Sequence, residues 1–597
     1  MDLPLNSESE VLVDTDRVPE TPIRVRKYSS HDVWGFVFRE DRFFLVLSVF
    51  IGVLSGLSVV CFRYAIDWCR LYLLGTGTVL STSRLLLAPS LAGLVIAVLV
   101  IHFFPTTRGS GVNQTKAALY IFNGQIPFRT AVGKFITAAL AIGSGHSLGP
   151  EDPSLQIGAC LASVLGRKMR LSRDRMRLIA PVGAAAGLAA AFNAPISAVL
   201  FVIEEVIGRW TAGILGSVVL SAVSSVVVMR WFLGSESLFR IPAVELKRPA
   251  ELLAYAVLGV VGGLASVAFS SGIATMRPLC KKLPRWTQYF QPAIAGLLIG
   301  VIAVLGAPQV MGAGYEYIDQ AMHGQFTWEF LAILAGLKIV ATLLSFVSGT
   351  PGGMFAPTLF IGAMLGAAVG GAQHILLPHL TGSPGTYALV GMGVLFAGFL
   401  RAPMTSVFMV LEVSGNYSII VPVIVANTFA YVISRGLQPI PIFDLLTRQD
   451  GLDLPSMEEQ REEGVLHVED AMQPVEGPIL EAQETVDQAM LKAATSTPEN
   501  LLVRLGPGRW GSVTKEELRS LAAEEQGGST LGSLATSSLT TIGPIPFLHP
   551  DHPLETALRY VDRWPLIPVV SRADFRQLEG VVSQRHVLER YREYGEG

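Results

Sequence analysis

Apolar stretches close to the length of a bilayer crossing, about 20 residues, recur along most of this chain. The clear ones are Phe43–Phe62, Leu85–Phe104, Ile214–Met229, Leu252–Gly272, Pro292–Gly306, Phe330–Val347, Tyr387–Leu400 and Tyr417–Ile433. Others are short or interrupted by Gly and Pro: Thr130–Gly143, Leu155–Leu165, Ile179–Ile203 and Met354–Gly371. Broken backbone at membrane depth is tolerated only where protein or a water-filled cavity surrounds it. The pattern therefore predicts an α-helical polytopic membrane protein of transporter or channel type, not a simple anchor. Composition agrees: 50% of residues are hydrophobic and only 16% charged, too few charges for a soluble chain of this length.

Charge and cysteine content exclude other classes. A net charge of −3 implies no nucleic-acid partner. The four cysteines (Cys61, Cys69, Cys160, Cys280) are scattered without a CxxC, so neither a metal site nor a disulfide framework is expected. No cofactor is implied, and no Walker-type loop supports ATP-driven pumping. The polar first 30 residues hold no apolar core of a cleavable signal. Basic clusters "RVRK", "RKMRLSRDRMR" and "KKLPR" favour the cytoplasm for their loops and for the N-terminus. After Arg448 the chain becomes charged and β-rich, with two comparable strand-then-helix endings, "GRWGSVTKEELRSL" and "LEGVVSQRHVLERY". These predict a soluble α/β tail.

The membrane part repeats. "NAPISAVLFVIEE" (Asn193–Glu205) resembles "RAPMTSVFMVLEV" (Arg401–Val413), and "GPEDPSLQIGA" (Gly149–Ala159) resembles "GMFAPTLFIGA" (Gly353–Ala363). Two matches in the same order at nearly the same offset mark repeated halves, in which interrupted segments point to a transporter's binding site. Three Gly-rich turns open helices there: Arg108–Lys116, Gly149–Pro153 and Gly352–Pro357. Helix N-termini present free N–H groups and partial positive charge. Several that converge form an anion site without a fixed cation, which suits conduction because the anion must also leave. Ser110 adds a hydroxyl. Glu151 at such a site acts as a tethered anion when ionised and as a gate that a proton releases. Asp152 reads as a first-turn acid that caps its helix. Glu204 matches Glu412 and so reads as structural. Glu205 falls opposite Val413, which makes it the proton-relay candidate among intramembrane acids. An intramembrane protease would need two carboxylates face to face. Glu151 and Asp152 point in different directions from one turn, so no enzyme is expected.

With these residues in hand, the chain resembles the CLC family of chloride channels and proton-coupled chloride antiporters over about residues 33–448. "GSGVN" (Gly109–Asn113), "GPEDP" (Gly149–Pro153) and "GGMFAP" (Gly352–Pro357) match its three anion-pathway motifs. The resemblance implies an inverted repeat with halves at about 33–235 and 250–448, and a cytoplasmic segment 1–32. It also implies a homodimer in the cell membrane, with both termini cytoplasmic and each subunit with its own pore. It assigns Ser110 to the central anion, with Gly109, Gly111 and Gly149 in the flanking turns. It assigns Glu151 to the gate, Glu205 to the internal proton, Met354 and Phe355 to backbone donation, and Lys134 to the field. The function implied is exchange of chloride, or a similar small anion, for protons; the alternative is a passive chloride channel. Departures are Phe443 where a tyrosine is common, Pro150 for a basic residue, Asp152 for glycine and Asn113 for proline; Asp152 and Phe443 still count among the anion-binding positions. They predict altered anion binding.

The tail, after a linker at 449–465, resembles a pair of CBS domains at about 466–522 and 531–594. Such domains often bind adenine nucleotides through an Asp ending an S/T-x-x-D turn. The turns here, Thr514 to Glu517 and Ser583 to His586, end otherwise, which favours a structural role over nucleotide binding.

Overall fold

Helices follow one another twice in the same order of long and short. The computed structural model describes residues 40–75, 81–208, 212–234, 239, 249–378, 382–452, 454 and 466–596, except 525, 536–543, 551 and 572–573. The chain divides into two compact units, 1–458 and 459–597. The expected segment 1–32 and most of the linker 449–465 lie outside the described residues. The first unit begins with α1 (Glu40–Leu73), α2 (Thr82–Val98), α3 (Gly111–Tyr120), α4 (Phe128–Ser144), α5 (Glu151–Lys168), α6 (Arg173–Phe192), α7 (Pro195–Phe201) and α8 (Ala212–Leu233). The second run is α9 (Glu251–Lys282), α10 (Gln291–Val304), α11 (Tyr315–Met322), α12 (Trp328–Val347), α13 (Phe355–Leu376), α14 (Pro384–Leu400), α15 (Pro403–Ser414) and α16 (Ile420–Leu437). A last helix, α17 (Ile442–Gln449), follows outside the repeat. Eight helices among the described residues are long and apolar enough to cross a membrane.

Packing repeats as well. Helix α1 lies on α8 as α9 lies on α16, and α5 lies on α6 as α13 lies on α14. The last two pairs are close because their contact positions lack side chains: a Cβ on Gly158 would strike the Gly183 carbonyl, and one on Gly362 the Gly391 carbonyl. Small residues bring membrane helices together by packing, since lipid supplies no hydrophobic force between them. The halves join where α2 packs on α10 and α7 on α15.

The apolar run Ile179–Ile203 is not one segment. Asn193 turns left-handed at φ 56° and ends α6, and Pro195 opens α7. Arg401 does the same at φ 60° before Pro403 opens α15. Pro suits a first helical position because its missing N–H has no partner there. The two short helices then diverge. Helix α7 widens into a π-helical turn, Val202–Ile207, whereas α15 stays regular to Ser414.

The second unit is α/β. A sheet in the order β1 (Leu480–Glu481), β2 (Asn500–Gly506), β3 (Arg509–Thr514), β4 (Pro544–Ile545) is parallel at β1–β2 and antiparallel elsewhere. Strands β5 (Ile567–Val570) and β6 (Leu578–Val582) form an antiparallel pair. Strand β3 runs into a helix, Lys515–Ala523, and β6 leads to another, Gln584–Glu596. Both expected strand-to-helix endings are therefore present.

Candidate functional site

The N-termini of α5 and α13 meet head to head. Gly149 and Gly353 exchange both backbone hydrogen bonds, each 2.8 Å. Both must be glycine at this approach: a Cβ on Gly149 would strike the Glu151 carboxylate and Ala356, and one on Gly353 would lie 2.9 Å from the Asp152 Cβ. The N-terminus of α3 joins them. Ser110 is its cap, its Oγ accepting from the Val112 N–H at 3.2 Å. Gly111 leaves room for α5, since a Cβ there would lie 2.5 Å from the Asp152 carbonyl. Gly109 turns left-handed, φ 79°, to aim Ser110 inward.

Both acids of "GPEDP" are fully buried at this junction and both reach toward the second half. The Ala356 N–H donates to Glu151 Oε2 at 3.3 Å. Asp152 Oδ2 accepts from the Ser110 hydroxyl at 3.1 Å and from the Met354 N–H at 3.4 Å. Glu151 Oε1 and Asp152 Oδ1 have no hydrogen-bond partner among the described residues. Asp152 thus lies across the junction, where a cap on its own helix was expected; no side chain caps α5. Ser110, Met354 and Glu151 come together as expected. Ala356 was not foreseen; it follows Phe355 by one residue, and its N–H is the amide that meets Glu151.

Lys134 is buried and donates to the Thr107 carbonyl at 3.0 Å and the Gly109 carbonyl at 2.6 Å. It therefore braces the turn under Ser110. Lys338 repeats this in the second half, donating to Val310 at 2.9 Å and Gly312 at 2.7 Å.

The two matched glutamates cap each other's half. Glu204 accepts from the N–H of Met404 and Thr405 and from the Thr405 hydroxyl. Glu412 accepts from the N–H of Ile196 and Ser197 and from the Ser197 hydroxyl. Their expected structural role is seen in atomic detail: each satisfies free N–H groups at a helix N-terminus. Glu205 differs. It is buried, and Lys116 Nζ donates to its Oε1 at 2.7 Å and to Asp444 Oδ1 at 3.1 Å. This Lys116 link between α3, the π turn and α17 was missed. Its signal was a lysine as the single charged residue of the buried helix "GVNQTKAALY", because an intramembrane cation needs a partner.

Aromatic rings wall the centre. Phe355 lies edge-on to Phe201 at 4.9 Å and against Phe443 at 6.4 Å. Phe443 offers no hydroxyl, but its carbonyl accepts from Asn113 Nδ2 at 3.2 Å. Asn113 thereby ties α3 to α17. Two separate cavities reach the junction. One, of about 350 Å³, ends on Ser110 and Asn113 and includes Arg108, Arg277 and Lys281. The other, of about 980 Å³, ends on Pro150 and includes Arg63, which is within electrostatic range of Glu151. They share no residue, and the buried carboxylates stand between Ser110 and Pro150.

These features define a helical, multi-pass membrane protein of the ion-transport class, with two repeated halves whose broken helices meet at one polar centre. A family model described as Voltage gated chloride channel matches residues 92–435. The H(+)/Cl(−) exchange transporter ClcA of Vibrio campbellii is 32% identical over 417 residues, 67% of this chain and 88% of that protein. ClcA of Salmonella paratyphi B is 31% identical over 419 residues, covering 67% and 87%. A slow cyanobacterial Cl−/H+ antiporter of known crystal structure superposes with a TM-score of 0.62 at 24% identity, over 68% of this chain and 97% of that one. The chain belongs to the voltage gated chloride channel family, the CLC proteins.

Proposed function

We propose that this protein exchanges chloride, or a similar small anion, for protons across the cell membrane. The observation that carries the reading is a set of uncharged donors, Ser110 Oγ and the Met354 and Ala356 amides, engaged by two buried carboxylates between two cavities. An anion entering from either side meets the same donors. Glu151 is the gate: ionised it holds the Ala356 amide, and protonated it releases it. Glu205, buried away from that centre, is the internal proton residue. The ClcA relatives, exchange transporters by name, support the same reading. The basic loops "RKMRLSRDRMR" and "KKLPR" support a cytoplasmic side for themselves and for both termini. The assembly in this reading is a homodimer. The tail is a CBS-like pair with a structural role: Glu517, where a nucleotide-binding turn has Asp, is engaged in a capping box with Thr514.

The test is transport in liposomes. An imposed chloride gradient should drive proton movement visible as a change of internal pH. Chloride flux with no proton movement at any voltage overturns the exchange. A passive anion channel is the second reading, favoured by one observation: Glu205 is engaged by Lys116, where a relay must take up and release protons. Glu205→Ala separates the two, since loss of coupling fits the exchanger and an unchanged current fits the channel.

A further inference from the structure

Of the two acids in "GPEDP", the one on the Ser110 hydroxyl is Asp152. That hydroxyl has a single hydrogen. Its oxygen already accepts from the Val112 N–H, which orients it, and the hydrogen points to Asp152 Oδ2. The same oxygen takes the Met354 amide. A carboxylate oxygen that accepts from a hydroxyl and an amide makes the contacts a halide would make there. Glu151 meanwhile takes a different amide, that of Ala356. The donors of this centre are thus divided between two tethered acids.

We infer that Asp152 is a second gate, a tethered carboxylate that competes with the transported anion for the Ser110 and Met354 donors. This rests on the proposed reading that those donors serve a small anion. The fold does not require an acid at this place. The matching position in the second half is Ala356, and α13 opens there with the same geometry as α5. Nor does Asp152 serve its own helix, which has no side-chain cap. Its second oxygen, Oδ1, is fully buried with no partner among the described residues. A purely structural acid in so dry a place would satisfy both oxygens, because a buried acceptor without a partner is costly. The charges around it are Glu151 on its own turn, which Arg63 of α1 faces, and Lys134 from α4, two of whose three N–H donors go to the Thr107 and Gly109 carbonyls. No cation bonds Asp152 directly among the described residues. An arriving anion therefore competes with two carboxyl groups, each of which excludes it when ionised, and the centre opens only when both have left it.

The test is chloride binding by calorimetry on the purified full chain in detergent. Asp152→Asn keeps the shape and removes the charge, and should tighten chloride by about tenfold or more, the factor that about 1.4 kcal/mol of lost competition gives. Asp152→Gly should do the same and is the second variant should the first not fold. Glu151→Gln alone should tighten chloride less, because Asp152 still holds Ser110, and Glu151→Gln with Asp152→Asn should bind tightest. A structural Asp152 gives a lower melting temperature with chloride affinity unchanged or weakened in both variants, and that result overturns the inference. Failure of the exchange reading looks different: the parent protein then moves chloride without protons, while the gain on removing Asp152 persists.

Discussion

The first half of the membrane unit carries Glu151, Asp152 and Glu205 where the second half, at matching places, carries Phe355, Ala356 and Val413, and Lys116 is the sixth residue of α3 where Gln320 is the sixth of α11. Other polar residues stand in both. Lys134 and Lys338 each hold two carbonyls of the turn before α3 and α11, and Glu204 and Glu412 each cap a helix of the opposite half. The backbone repeats too, with left-handed residues at Asn193 and Arg401. A polar residue present in both halves is tied to a backbone group that the fold must satisfy. One present in a single half sits where its counterpart shows that the fold does without it. The π turn Val202–Ile207 follows the second pattern, since α15 remains regular, and it is the turn that carries Glu205. Local π geometry is common at functional sites.

The sharpest way to break this division is at the unmatched lysine. Lys116→Met leaves Glu205 and Asp444 buried without their shared cation and should cost about 3–5 kcal/mol. Gln320→Met, its counterpart, should stay within about 0.5 kcal/mol of the parent. Thermal unfolding in detergent compares them, and equal losses would remove Lys116 from the unmatched class. Next comes Glu205→Val, which installs the residue of the second half. Proton flux should fall by about a hundredfold, as when a positioned proton-transfer group is removed, while chloride still moves. Parallel pH and chloride recordings from one liposome preparation check it, and undiminished proton flux would make Glu205 a scaffold residue.

How far the sequence foretells this depends on the range of each interaction. The helix order was legible because it rests on local features: apolar length, Ala-Pro starts, Gly-rich turns. The matched glutamates could be sorted as structural from the repeat alone. What stayed hidden was direction and partnership. Asp152 reads as a cap because first-turn acids usually are, and only the head-to-head meeting of Gly149 with Gly353 brings Ser110 and Met354 to it. The Lys116 bridge joins residues 89 and 328 positions away in the chain, beyond any periodicity. The break inside Ile179–Ile203, by contrast, was in view: the segment reads as interrupted, and Asn before Ala-Pro is a helix-stop signal.

The matched lysines sharpen the comparison by a smaller amount. Lys134→Met and Lys338→Met each take the donor from two carbonyls and should each cost about 2 kcal/mol. Only Lys134→Met should also weaken chloride binding, because only its turn ends on Ser110. Melting temperatures paired with chloride calorimetry separate the shared cost from the unshared one, and chloride binding that falls equally in both variants would contradict the division.

The smallest effect belongs to the matched glutamates. Glu204→Gln keeps one acceptor oxygen for the Met404 and Thr405 amides but loses the charge that favours a helix N-terminus, a loss of about 1 kcal/mol. Glu412→Gln does the same at Ile196 and Ser197 and should cost as much. Because α7 and α15 pack on each other, the double variant need not equal the sum. Its melting temperature should fall below that of either single variant, while the ratio of protons to chloride moved stays that of the parent. Glu204 is the demanding case, since it adjoins Glu205 in the π turn. A changed ratio in Glu204→Gln but not in Glu412→Gln would show that a residue matched in both halves had acquired a transport role in one.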